Sequence, residues 1–200
     1  MKPGFCYLAE RAEPNQAARR IIASFSRVGI VLSNSHTGRI TELADDGEQV
    51  DTTEAGLLQA AIARPKLTFQ LWFGADVDLS CTFRQVDRDC VSHAYSLDGL
   101  DAKERDRIVR WAINYFKEAA AERTAALLVV DSAGVTADVD WDAVLRQTTP
   151  FPAVLPHVLG LPASWIAHLG DYSGYSRERI ADFELLRSRS LAGDETTHDW

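Results

Sequence analysis

From Leu67 to Ser132 the hydrophobic period changes twice, at places that the residues themselves mark. Leu67, Phe69, Leu71 and Phe73 alternate with Thr68, Gln70 and Trp72, the period of a half-buried strand. Gly74, Ala75 and Asp76 break the run, and Val77, Leu79, Cys81 and Phe83 resume it, which predicts a hairpin. Val91, Tyr95 and Leu97 predict a third strand. A helical stripe then passes through Ile108, Trp111, Ala112, Tyr115, Phe116 and Ala119, and the apolar run Ala125–Val130 has the continuity of a buried strand. The order is β-β-β-α-β.

The flanking segments extend this picture. Gly4–Ala9 reads as a first strand, and Pro14 opens a helix over 14–26 with Ala17, Ile21, Ile22 and Phe25 on its apolar side. Val28–Leu32 predicts a short strand paired with Arg39–Leu43 across a turn at Ser33–Gly38. Asp51 with Glu54, and Asp101 with Glu104, have the spacing of a capping box and open helices over 52–63 and 101–121. Beyond Val130, Asp140–Gln147 reads as a short helix, and Pro150, Pro152, Pro156 and Pro162 exclude a long regular element. Ser164–Leu169 is a strand or a turn of helix, Asp171–Ser176 a loop, and Ser176 opens a last helix to about Ser188. The expected fold is α+β: a mostly antiparallel sheet of five to seven strands, helices packed on it, and a C-terminal Pro-rich and helical appendage. Residues 1–188 are read as one domain with a subdomain break near 148, and 189–200, small, polar and acidic, as a disordered tail.

Composition narrows the partners. The chain has 200 residues, 46% of them hydrophobic and 25% charged, an ordinary globular balance. Its net charge of −8, with basic residues scattered among acids, argues against a nucleic-acid partner. Cys6, Cys81 and Cys90 are an odd number without paired spacing, so free thiols in a reducing, cytoplasmic setting are expected. Residues 1–25 lack the apolar core of a secretory signal, and no apolar run approaches the roughly 20 residues that span a bilayer. No membrane partner is expected.

Few residues carry specific chemistry. Asp138, Asp140 and Asp142 alternate as in a calcium loop, but Ala143 and Thr149 occupy the positions that need Gly and Glu; Asp140 reads better as a helix N-cap. Cys90 and His93 are spaced C-x-x-H, which places them on opposite faces of a regular strand, and no second ligand pair exists. No metal site is expected. No phosphate-binding glycine motif and no H-E-x-x-H is present, so no cofactor is expected either.

Three residues remain as catalytic candidates. His93 shares the apolar parity of Val91, Tyr95 and Leu97, which makes it either a core histidine bonded to backbone or Tyr95, or a general base. Asp131 closes the most apolar strand, at the end where open sheets place ligands, although an Asp there also caps its own turn. The polar side of the hairpin collects Thr68, Gln70, Trp72, Asp78, Ser80, Thr82 and Arg84, which is either a recognition surface with Trp72 and Arg84 as binding residues, an ordinary solvated sheet face, or a face covered by the first helices. Trp165, Tyr172 and Tyr175 form a second aromatic group that lines a cleft or pins the Pro-rich segment.

Two functions fit these observations. The first is a non-catalytic interaction protein, an inhibitor or immunity-type module with a protein partner, basic by charge complementarity. The composition is similar to that of small acidic proteins that bind and neutralise a toxin. The second is a small cofactor-independent enzyme that uses His93 with Asp131 or Tyr95 in a pocket at the end of the sheet. The negative charge, the lack of a catalytic motif and the aromatics in loops favour the first.

Overall fold

The computed structural model describes residues 3–189. In chain order the elements are β1 (Phe5–Glu10), α1 (Pro14–Arg27), β2 (Ile40–Leu43), β3 (Gln49–Thr52), α2 (Glu54–Ala63), β4 (Lys66–Trp72), β5 (Asp78–Asp87), β6 (Cys90–Ser96), α3 (Ala102–Ala121), β7 (Ala125–Asp131), α4 (Trp141–Leu145), β8 (Val158–Pro162), a 3-10 helix (Ala163–His168), β9 (Tyr175–Ile180) and β10 (Phe183–Ser188). The strands form one open sheet of ten, in the spatial order β3-β2-β4-β5-β6-β1-β7-β8-β10-β9. Every neighbouring pair is antiparallel.

Strand alternation divides the core in two. Cys6 and Leu8 of β1, Phe69 of β4, Cys81 of β5, Tyr95 of β6, Leu128 of β7 and Leu185 of β10 face one way, where α1, α2 and α3 cover them. Tyr7, Leu127, Val129, Leu159 and Leu186 face the other way, against Trp141 and Val144 of α4, Leu155 and the 3-10 helix. This second cover extends only over the β1, β7, β8 and β10 side of the sheet. The second face of β4–β6 carries half-buried Thr68, Trp72, Asp78, Ser80, Thr82, Arg84 and Ala94.

The sheet is larger than the five to seven strands expected, and the C-terminal segment continues it. Residues 176–188, expected as a helix, form most of the β9–β10 hairpin instead. Its turn places Ala181 at φ 49 with no glycine or asparagine to announce it. Between the prolines, β8 joins β7 on one side and β10 on the other. Near the N-terminus, Val28–Leu32 yields only a bridge between Val31 and Trp72, and β2 pairs with β3 and β4. The cap of α2 is Thr53, whose hydroxyl accepts from Gly56 N, while Asp51 pairs with Arg39. At α3 both arms of the Asp101–Glu104 capping box form at 2.8 Å. The tail expected to be disordered lies, from residue 190 on, outside the described residues.

Candidate functional site

His93 enters the first face from β6, opposite Leu8, and is wholly buried under α1 and α3. Its Nδ1 shares a hydrogen bond of 2.8 Å with Tyr95 Oη. Beyond its Nε2, at 3.9 Å, is Oε1 of Glu10, itself buried and paired with Arg20. Tyr115 donates to Glu10 Oε1 at 2.7 Å, and Arg20 Nε donates to Tyr115 Oη at 3.1 Å. Glu10 is thus engaged by two donors, so burial and then the Arg20 charge decide the state of the imidazole and push its pKa down to about 3. A neutral, enclosed His93 is packed edge-on against the rings of Tyr95 and Tyr115.

Asp131 lies elsewhere. It pairs with Phe5 at the end of β7, three residues along the strand from the Leu8 register and therefore on the opposite face from His93. The fully buried carboxylate accepts from Thr136 N at 2.5 Å, Thr136 Oγ1 at 2.7 Å and Ala133 N at 3.3 Å, which closes the turn after the strand. His157 approaches with Nδ1 at 3.6 Å, but that nitrogen accepts from Ser132 N at 3.1 Å. Of the three catalytic candidates, His93 and Tyr95 meet, and Asp131 does not join them.

Trp72 and Arg84 share the uncovered second face of β4 and β5. There Gln70 Nε2 donates to Asp78 Oδ2 at 2.9 Å, and the Thr68 and Thr82 hydroxyls approach to 3.4 Å. Where this face meets the loop before α4, a cleft of about 440 Å³ opens, lined by Phe5, Tyr7, Arg84, Asp140, Trp141 and Asp142 among others. Tyr7 donates to Asp142 Oδ1 at 2.8 Å, and Arg84 Nη1 stands 3.8 Å from Asp142 Oδ2. Burial and the Asp142 charge raise the Tyr7 pKa, so its hydroxyl remains a neutral donor. Asp140 caps α4 through Ala143 N at 3.0 Å. Among the described residues, Gln70 Oε1, Trp72 Nε1 and Trp141 Nε1 on this face or in its cleft are buried without a hydrogen-bond partner, as are His93 Nε2 and Arg187 Nε elsewhere.

Trp165 sits on the 3-10 helix, its ring 6.1 Å from that of Phe151. Tyr172 and Tyr175 pack on the second core, and Tyr175 Oη donates to the carbonyls of Leu155 and Pro156 at 3.0 Å each. The tyrosines pin the Pro-rich segment; Trp165 borders a cavity. Sequence reading missed Tyr7, Trp141 and Asp142, since Tyr7 lies in an apolar strand and meets Asp142 across 135 residues. Among the described residues no group of three or more His, Cys, Asp or Glu could hold a metal ion. No helix among them is long and apolar enough to cross a membrane. No protein-family model, curated protein or solved structure matches the chain.

Proposed function

We propose that this is a non-catalytic binding protein, an inhibitor or immunity-type module, which recognises a protein partner with the uncovered face of β4–β6 and the adjoining cleft. The observation that carries this reading is the second face of β4–β6 itself, where half-buried Trp72 and Arg84 stand among Asp78, Ser80 and Thr82 beside the cleft. Trp72 and Arg84 are of the residue types that dominate binding energy at interfaces. With a net charge of −8 and Asp78 and Asp142 on this face, the complementary partner is basic.

The test is affinity capture from the native extract at low and high salt, with wild type, Trp72→Ala and Arg84→Ala compared. One basic protein retained at low salt, released at high salt and lost in both variants at unchanged melting temperature supports the proposal. A partner held equally by both variants removes this face from the reading. The enzyme alternative, with His93 and either Asp131 or Tyr95, has the 2.8 Å His93–Tyr95 contact in its favour. Against it stands the complete burial of the imidazole, which offers a substrate no approach.

A further inference from the structure

At the end of the sheet where β1 finishes and β7 begins, a second cleft of about 210 Å³ shares no lining residue with the first. Arg11, Arg123 and Arg146 line it, with Gln147, Trp165, Asp87 and Asp89. Several arginines elsewhere are engaged by carboxylates, Arg20 by Glu10, Arg64 by Glu42, Arg110 by Asp106, and Arg177 and Arg179 by Glu184, while Arg19 bonds Asn15 and Arg107 lies over the Phe73 ring. Among the described residues, the side chains of Arg11, Arg123 and Arg146 make no hydrogen bond or ion pair, even with the two aspartates of the same cleft. A protein of net charge −8 thus turns three uncommitted guanidinium groups toward one cavity.

The backbone beneath them adds an independent argument. Both α3 and α4 end in a Schellman closure: Thr124 N donates to Ala119 O at 2.8 Å, and Thr148 N to Ala143 O at 3.0 Å. The left-handed residues of these closures are Arg123, at φ 61, and Gln147, at φ 58. Glycine is the residue favoured at that position, yet in both cases a long polar side chain stands there and lines the same cleft. The third non-glycine residue with positive φ among the described residues is Ala181, in the β9–β10 turn. At Arg123 and Gln147 the left-handed backbone that glycine would relieve instead aims a long polar side chain at the cleft, an outlier that motivates a functional hypothesis. Helix capping needs neither side chain, because backbone N–H groups already take the terminal carbonyls.

Trp165 and Gln147 also line an adjoining cavity of about 450 Å³ with Val144, Phe151 and His168. We propose that the two cavities form one site for a small phosphate ester that carries a planar ring. The phosphate oxygens take the guanidinium groups, whose paired N–H donors match them, and the ring lies against Trp165. Asp87 and Asp89 offset part of the positive charge, so a bare anion binds weakly and the ring contact is needed.

The test is a calorimetric titration of the full chain with AMP, adenosine and inorganic phosphate. AMP is expected to bind saturably at one site and more weakly as salt rises, with adenosine and phosphate each at least about tenfold weaker. Arg123→Gly relieves the left-handed strain, so it should melt no lower than wild type yet lose at least about tenfold in AMP affinity. Arg146→Gln, at an exposed side chain without a partner among the described residues, should lose AMP affinity at unchanged stability. Absence of saturable AMP binding overturns the proposal. So does AMP binding that survives both substitutions, or adenosine or phosphate binding as tightly as AMP.

Discussion

His93→Gln tests the state of the buried imidazole through the pH dependence of stability. In the unfolded chain His93 takes its proton near the ordinary value of 6.5; in the folded protein burial and Arg20 hold that event down to about 3. Between these values the unfolded state binds one more proton than the native state, so stability falls as pH falls. Each pH unit in the window costs about 1.4 kcal/mol, and from pH 8 to pH 5 the loss due to this group is about 2 kcal/mol. The nearby charged and titratable groups are Glu10, Arg20, Tyr95 and Tyr115, and all of them remain in the variant. At pH 8 the variant is the less stable protein, because glutamine replaces a ring packed against Tyr95 and Tyr115. Urea unfolding of both proteins at pH 8, 6 and 5 gives the gap between them. That gap should narrow by about 2 kcal/mol, or about 1 M in the urea midpoint, by pH 5. A gap that stays constant would mean that His93 ionises freely in the folded protein, which would refute the reasoning and favour an accessible base.

Three further outcomes follow from the packing. Trp111→Ala should destabilise by about 4 kcal/mol and lower the melting temperature by about 10 °C, since the indole stacks on Phe25 at 3.7 Å and donates to Ser24 Oγ at 3.1 Å; a urea midpoint within the range of surface variants would contradict the orientation of α3. Gly160→Ala should cost about 1–3 kcal/mol, because its Cβ would stand 2.6 Å from the Phe116 ring, and Phe116→Leu in the same chain should recover part of the loss on thermal melting. Cys6, Cys81 and Cys90 are buried free thiols, with burial pushing Cys81 up to about 12 and Cys90 up to about 11; a thiol reagent at pH 8 should label the native protein slowly and the unfolded protein at three sites.

The parts of the fold legible in the sequence are those with a local cause. Helix α1 follows from Pro14 and its apolar stripe, α3 from a capping box closed within four residues, and β4 and β5 from strict alternation about a marked turn. Where the cause is distant, the reading failed. Residues 176–188 carry Arg177, Glu178, Arg179 and Glu184, a polar run that resembles a solvated helix. In the fold, Arg177 and Arg179 on one strand converge on buried Glu184 of the next, a pairing that only the hairpin creates. The candidate face divides in the same manner. Alternation placed Trp72 and Arg84 on one side of the sheet, but nothing local could bring Tyr7 and Asp142 to its margin. The buried Glu10, engaged from α1 and α3, was equally invisible.

The two ends of the sheet bear on how a partner could be taken. An open sheet has two edge strands with unpaired backbone groups, and strand addition there competes with recognition through a face. Here β9 is dressed with charge on both sides: Arg177 and Arg179 meet Glu184 on one, while Glu178 meets Lys117 and Arg187 on the other. At the opposite edge β3 is four residues long, with Asp51 paired to Arg39. Charged or very short edge strands are the usual means of blocking edge-to-edge association. The face of β4–β6 has the contrary character, with Trp72 half-buried and polar atoms left unpartnered beneath it. If recognition runs through that face, Trp72→Ala should abolish partner capture, while Arg179→Ala on the β9 edge should leave it intact; the reverse pattern would assign binding to the edge.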